Sequence, residues 1–208
     1  MTSAATSYAA IILSGGASTR MGRTKALLHH AGETFLDRLI RVFASRASAI
    51  VVVTGAHDVE IRAALQGRAD VQIVTNPAPE RGQISSLQEG LRALDGNFQC
   101  VFFHSVDIPL IEPATIIALC DALEAAPPDA PLAIPRFEGK RGHPILMRNA
   151  LIPEFLTLPP GSTARDVIHA HRAETVYVDV EDWGVTRDID TPEEYAALLQ
   201  EKPQGEPR

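Results

Sequence analysis

The segment Ser14-Gly15-Gly16-Ala17-Ser18-Thr19-Arg20-Met21-Gly22-Arg23-Thr24-Lys25 crowds paired glycines, hydroxyls and three cations into one turn. Glycines let backbone N–H groups come close to phosphate oxygens, and Arg20, Arg23 and Lys25 offer countercharge. Two common phosphate loops are excluded by the spacing. A Walker A loop needs Gly-Lys-Ser/Thr, whereas Gly22 is followed by Arg23 and Lys25 comes two positions later. A dinucleotide fingerprint needs a third glycine that does not fall correctly here. The remaining alternative is a surface loop with incidental charges, and three cations in an acidic chain argue against it.

Carboxylates recur at two later points. Asp107, in Ser105-Val106-Asp107-Ile108-Pro109, follows an apolar run that puts it at a strand end. There it can hold Mg²⁺, which prefers oxygen ligands and keeps waters and substrate phosphates in its shell. A turn aspartate ahead of a proline is the other role open to it. Asp188 and Asp190 stand at i and i+2, so on a strand both would point to one face. Helix capping competes with that reading: Asp190 or Thr191 as N-cap, Pro192 near the first helical position, Glu193 and Glu194 favouring the dipole.

Asn76 and the run Arg81-Gly82-Gln83-Ile84-Ser85-Ser86-Leu87 bring small residues, amides and hydroxyls together, although Ser85 and Ser86 could simply cap a helix. Lys140-Arg141-Gly142-His143-Pro144 is a basic turn in which His143 can meet a ligand or satisfy backbone groups. His29, His30, His57, His104, His169 and His171 show no metal-ligand spacing. His169 and His171, two apart on a helix, do not share a face.

These groups need a scaffold, and the apolar pattern supplies one. Tyr8–Leu13, Ala49–Thr54, Val71–Thr75 and Gln99–Val106 read as strands. Helices are expected over Thr34–Arg46, His57–Gln66, Ile84–Leu94 and Pro113–Glu124, the last with proline in its first turn. Strands apolar along their whole length are covered on both faces, as in parallel sheets. Alternation of strand and helix then predicts an α/β fold, three layers (α/β/α) around a mostly parallel twisted sheet. After Pro127 the rhythm changes. Leu132–Pro135 and Thr175–Val180 read as strands, with helices around Ala150–Leu156 and Thr163–His171. A last strand is expected near Val185–Ile189, before a helix Pro192–Gln200. Residues 1–201 are read as one domain, with 127–183 an insertion or lid packed beside the sheet and 202–208 a frayed tail.

Composition narrows the function classes. At 208 residues, 45% hydrophobic and 22% charged, the chain can bury a sizeable core without disulfides or structural metal. Acidic residues number 26 against 19 basic ones, a net charge of −7 that argues against nucleic acid or an anionic membrane as partner. Cys100 and Cys120 sit in apolar runs and are expected to be buried and reduced. No stretch reaches the ~18 apolar residues of a membrane span, and Met1–Leu13 lacks the marks of a signal peptide, so a cytoplasmic location is expected.

The glycine-rich turn also resembles a known signature. Leu-x-Gly/Ala-Gly-x-Ser-x-Arg-Met-Gly-x-x-Lys marks the MobA-like nucleotidyltransferases, and Leu13–Lys25 matches it at Gly16, Ser18, Arg20, Met21, Gly22 and Lys25. Three further segments are similar to the family's motifs and stand in its order: Gly82 to Leu87, Asp107-Ile108-Pro109, and Asp188-Ile189-Asp190-Thr191-Pro192-Glu193-Glu194-Tyr195. Gly139 to Pro144 resembles the family's Gly-x-x-Gly-His-Pro. The likeness runs from Ala9 to about Leu199, and Ser105 departs from the small apolar or proline residue usual there.

That resemblance implies a Rossmann-like nucleotidyltransferase fold and a Mg²⁺-dependent transfer of NMP from an NTP to a phosphorylated acceptor, with release of pyrophosphate. Leu13, Ser14, Gly15, Gly16, Ala17 and Ser18 would wrap the triphosphate, with Arg20 and Lys25 neutralising the departing pyrophosphate. Asn76, Gly82, Ser85 and Ser86 would meet the base and ribose. Asp107, with Asp188 and Asp190 taken jointly, would face the metal. Arg141, Gly142, His143 and Pro144 would contact the acceptor. Independently of the resemblance, Arg165 and Asp166, after Gly161-Ser162-Thr163, are secondary acceptor-site candidates. The acceptor implied is molybdopterin cofactor, with a molybdoenzyme or chaperone as a possible protein partner. Gly15 matches the guanine-using pattern, while the Ser-Ser-Leu and Gly-His-Pro segments resemble cytosine users, so CTP is favoured on the number of matches. A sugar-1-phosphate nucleotidyltransferase and a non-catalytic cofactor-binding accessory protein are the alternatives.

Overall fold

The computed structural model describes residues 6–16 and 21–201. Ala17, Ser18 and Arg20 of the expected phosphate-contacting set, and the tail 202–208, lie outside the described residues. Strand β1 (Tyr8–Ser14) is buried along its whole length. A small antiparallel pair, β2 (His29–His30) and β3 (Glu33–Thr34), leads into α1 (Phe35–Phe43). Thr34 caps that helix by accepting from Asp37 N, and Phe35, Leu36, Leu39, Ile40 and Phe43 form its buried stripe. Then follow β4 (Ala49–Thr54), α2 (Asp58–Ala64), β5 (Gln72–Thr75), α3 (Gln83–Ala93), β6 (Cys100–Ser105) and α4 (Pro113–Ala125). The second half carries β7 (Leu132–Phe137), β8 (Lys140–Arg141), β9 (Ile145–Arg148), α5 (Ile152–Thr157), α6 (Ala164–Ala170), β10 (Val176–Asp179) and α7 (Pro192–Gln200).

The main sheet runs β10-β7-β9-β6-β1-β4-β5, with β8 appended to β7. Strand β9 opposes both of its neighbours, and the other pairings along this path are parallel. A short link such as that from β7 to β9 cannot make a crossover, which forces the antiparallel pairing. Alternate β1 residues feed the two covering layers. Ala10 and Ile12 join α1 and α4 in one core, Ile11 and Leu13 join α3, α5 and α6 in the other. Burying each large aliphatic side chain of this kind contributes about 1.5–3 kcal/mol. Cys100 and Cys120 are buried and unbridged. Among the described residues no helix is long and apolar enough to cross a membrane.

Two expectations need correction. Most of 127–183 is not a lid beside the sheet, because β7, β9 and β10 extend the sheet itself. The apolar run Leu132–Ile134 requires burial that a peripheral lid would not provide. Nor is Val185–Ile189 a strand. The chain makes a 3-10 turn over Trp183–Thr186. Asp182 draws it in by accepting from Gly184 N (3.0 Å), Glu112 N (2.8 Å) and Thr115 Oγ1 (2.6 Å). At Gly184 a Cβ would lie 2.3 Å from Leu110 O, so the turn packs directly on backbone.

Candidate functional site

In open α/β sheets, ligands bind beyond the carboxyl ends of strands where the connections diverge. Here that point lies between β1 and β6: the chain leaves β1 toward β4 on one side, and β6 pairs on the other. A crevice of about 190 Å³ opens there, walled by Leu13, Gly15 and Gly16 from β1 and its turn and by Ser105 and Asp107 beyond β6. Pro79, Gly82, Gln83 and Ser86 close its third side. A Cβ at Gly15 would stand 2.8 Å from Ser86 Oγ, so glycine is what lets the β1 turn settle on α3.

Asn76 and Ser85 shape this wall and do not line it. The buried Asn76 amide donates to Ser85 Oγ (2.8 Å) and Ser86 Oγ (2.9 Å), while its oxygen accepts from Ala78 N (2.9 Å). Ser85 Oγ donates onward to Gly82 O (2.7 Å). Gly82 and Ser86 are therefore the two members of the expected base-contacting set that face the crevice. Ser14 is buried, its Oγ has no hydrogen-bond partner among the described residues, and it lines neither this crevice nor the next.

Lys25 and Arg23, the described cations of the turn, are tethered to the C-terminal segment. Lys25 Nζ forms an ion pair with Asp190 (2.5 Å), and the Arg23 guanidinium lies 5.5 Å from the Tyr195 ring centroid. Ile189 N donates to Asp107 O (2.7 Å), which brings Asp190 and Lys25 to the flank of Asp107. Thr191 caps α7 in a capping box with Glu194, whose carboxylate also accepts from Asp190 N (2.7 Å). Capping and the Lys25 contact thus coexist in one short segment. Asp188 is exposed, and among the described residues Asp107, Asp188 and Asp190 form no three-carboxylate cluster. The expectation that Asp188 and Asp190 point to one face of a strand fails because the segment is not a strand. A single crevice carboxylate with a second at its flank does suit an ion that completes its shell with waters and phosphates.

A larger crevice of about 390 Å³ adjoins the first and shares Leu13, Gly82, Gln83 and Ser105 with it. Phe103, Ile84, Leu87 and Ile168 give it apolar surface, and Arg81, His143 and Arg165 supply its charged and polar groups. Of the expected quartet at 141–144, only His143 lines it. Arg141 is exposed, its guanidinium 5.6 Å from the Tyr177 ring centroid. Gly142 serves packing: a Cβ there would lie 2.3 Å from Val185 O, and its N donates to Pro135 O (2.9 Å). Pro144 is buried at the entry to β9. Asp166 completes the capping box of α6 with Thr163.

His104 was missed from sequence. It is fully buried, and its Nε2 donates to Ile108 O (2.8 Å), closing the turn that carries Asp107. Burial pushes its pKa down to about 3, with the neighbouring His143 adding to the shift. Burial also lowers His143, opposed by the charge of Asp107 and reinforced by that of Arg165. The two imidazoles meet edge to face at 5.9 Å. The available signal was a lone histidine inside an otherwise apolar strand, three residues before the aspartate.

A family model described as the MobA-like NTP transferase domain matches residues 10–176. The molybdenum cofactor cytidylyltransferase of Escherichia coli K12 is 25% identical over 185 residues, 89% of this chain and 92% of the relative. A probable molybdenum cofactor guanylyltransferase of Synechococcus elongatus is 32% identical over 133 residues, 63% of this chain and 66% of the relative. In fold, the chain is similar to the crystal structure of Rv0371c from Mycobacterium tuberculosis H37Rv, with a TM-score of 0.81 at 23% identity, covering 95% of this chain and 100% of that one. A complex of that mycobacterial protein with manganese superposes with a TM-score of 0.74 at 22% identity, covering 93% of this chain and 98% of that one.

Proposed function

The chain belongs to the MobA-like NTP transferase family and is a nucleotidyltransferase, and from that premise we propose that it moves CMP from CTP to a phosphorylated acceptor of the molybdopterin type, in the cytoplasm. An oxygen of the acceptor's phosphate attacks the α-phosphorus, the bond to the β-bridging oxygen breaks, and pyrophosphate leaves. A phosphomonoester is already largely dianionic near pH 7, its second pKa being about 6, so no dedicated general base is needed. Preference for CTP over GTP is supported by the Ser85-Ser86-Leu87 and Gly142-His143-Pro144 segments, which resemble those of cytosine users.

One observation carries this reading: Asp107 lines the crevice walled by the Gly15-Gly16 turn, and the Lys25–Asp190 ion pair is held at its flank by the Ile189 N hydrogen bond to Asp107 O. Asp107, with Asp190 beside it, would hold Mg²⁺, which supplies charge neutralisation to the phosphates when bound. Lys25 and the amides of the turn, together with Arg20, stabilise the pyrophosphate as its charge grows. The crevice fixes the nucleotide's direction, so catalysis is chiefly positioning and charge neutralisation.

Pyrophosphate release with CTP or GTP, Mg²⁺ and molybdopterin tests the proposal. Lys25→Ala and Asp107→Ala should each lower the rate by at least ~10²-fold, the scale of losing one transition-state donor. Undiminished turnover in both variants, or no release from the wild type with either nucleotide, overturns it.

A further inference from the structure

The larger crevice holds two arginines that charge pairing elsewhere leaves over. In this acidic chain, Arg38, Arg41, Arg62, Arg68, Arg92 and Arg136 each pair with a carboxylate at 3.0 Å or less. Arg81 and Arg165 line the crevice and form no ion pair among the described residues. They reach it from separate elements, Arg81 from the turn before α3 and Arg165 from α6. Arg81 lies at the junction with the nucleotide crevice, and Arg165 lines the same larger crevice as His143. Arg81 directly precedes Gly82 and Gln83, which belong to both crevices, and the charge of Arg165 acts on His143 together with that of Asp107. Behind that junction the surface turns apolar, with Phe103, Ile84, Leu87 and Ile168.

We propose that Arg81 and Arg165 clamp the acceptor's phosphate at this junction, and that the acceptor's body is a ring system lying against Phe103 and the aliphatic wall. The proposal rests on the nucleotidyl-transfer reading and adds the two residues that bind the acceptor's phosphate and the wall its rings lie on. Guanidinium groups match phosphate oxygens in a fixed fork geometry, and two of them offset the repulsion between an acceptor dianion and a triphosphate. The clamp binds and aligns the nucleophile; the leaving side of the reaction belongs to Lys25.

Flavin mononucleotide, a fused-ring phosphomonoester, and riboflavin, the same rings without phosphate, separate the two halves of this claim. Fluorescence titrations are run on the intact protein with CTP and Mn²⁺ present, and CTP–Mn²⁺ binding is measured separately by calorimetry. Flavin mononucleotide should bind the wild type at least ~10-fold more tightly than riboflavin, the scale of one hydrogen bond to a charged group. Arg81→Ala and Arg165→Ala should each erase most of that advantage and leave CTP–Mn²⁺ binding unchanged. Equal binding of the two flavins, no flavin binding, displacement by CTP–Mn²⁺, or wild-type behaviour of both variants overturns the clamp. Arginine-dependent flavin mononucleotide binding in a protein that fails to bind CTP–Mn²⁺ would leave the clamp standing and remove the nucleotidyl-transfer reading beneath it.

Discussion

Replacing His104 by glutamine should make the protein's stability less sensitive to acid. His104 is fully buried, and its pKa falls from 6.5 to about 3 in the fold. A group with a depressed folded pKa contributes stability that is complete above its unfolded pKa and is lost as pH falls toward the folded one. The window here runs from pH 6.5 down to about 3. Each pH unit within it costs a little over 1 kcal/mol, so by pH 4.5 the wild type loses about 2–3 kcal/mol through this residue. Glutamine does not titrate and keeps an N–H able to donate to Ile108 O, so the turn carrying Asp107 retains its tie. Urea unfolding followed by Trp183 fluorescence at pH 7 and pH 4.5 gives the comparison. The gap between wild type and His104→Gln should close by ~2–3 kcal/mol on going to the lower pH. A parallel decline in both proteins would refute the assignment of a buried, neutral imidazole.

Gly15→Ala should cost ~1–3 kcal/mol by overpacking against Ser86 Oγ and should weaken CTP binding, both read by thermal unfolding with and without nucleotide. Adding Ser86→Ala removes the clashing oxygen and leaves Thr54 O at 3.7 Å and Ser86 Cβ at 3.8 Å, both ordinary contacts, so the double variant should recover most of that loss, apart from the Asn76 hydrogen bond. Asp190→Asn breaks the Lys25 ion pair and should lower pyrophosphate release by at least ~10²-fold. Asp188→Asn changes an exposed group and should stay within ~2-fold of wild type in the same assay.

The layered α/β architecture, the glycine-rich turn after β1 and the carboxylate after β6 were all legible in the amino-acid order. Each is written in about a dozen contiguous residues, as an unbroken apolar run followed by glycine, cation or Asp-x-Pro, and local backbone preference suffices to express it. The capping role of Thr191 was legible for the same reason. Tertiary structure alone decided which residues the two crevices use. Lys25 chose Asp190 from 165 positions away, and Asn76 and Ser85 turned inward to brace the wall that Gly82 and Ser86 present. Gly142 became a seat for Val185, and the segment expected as a last strand became a strap across Asp107 because Asp182 and Gly184 dock on the start of α4 and the backbone of Leu110. Such outcomes hang on close contacts between remote backbone segments, and no periodicity within either segment records them.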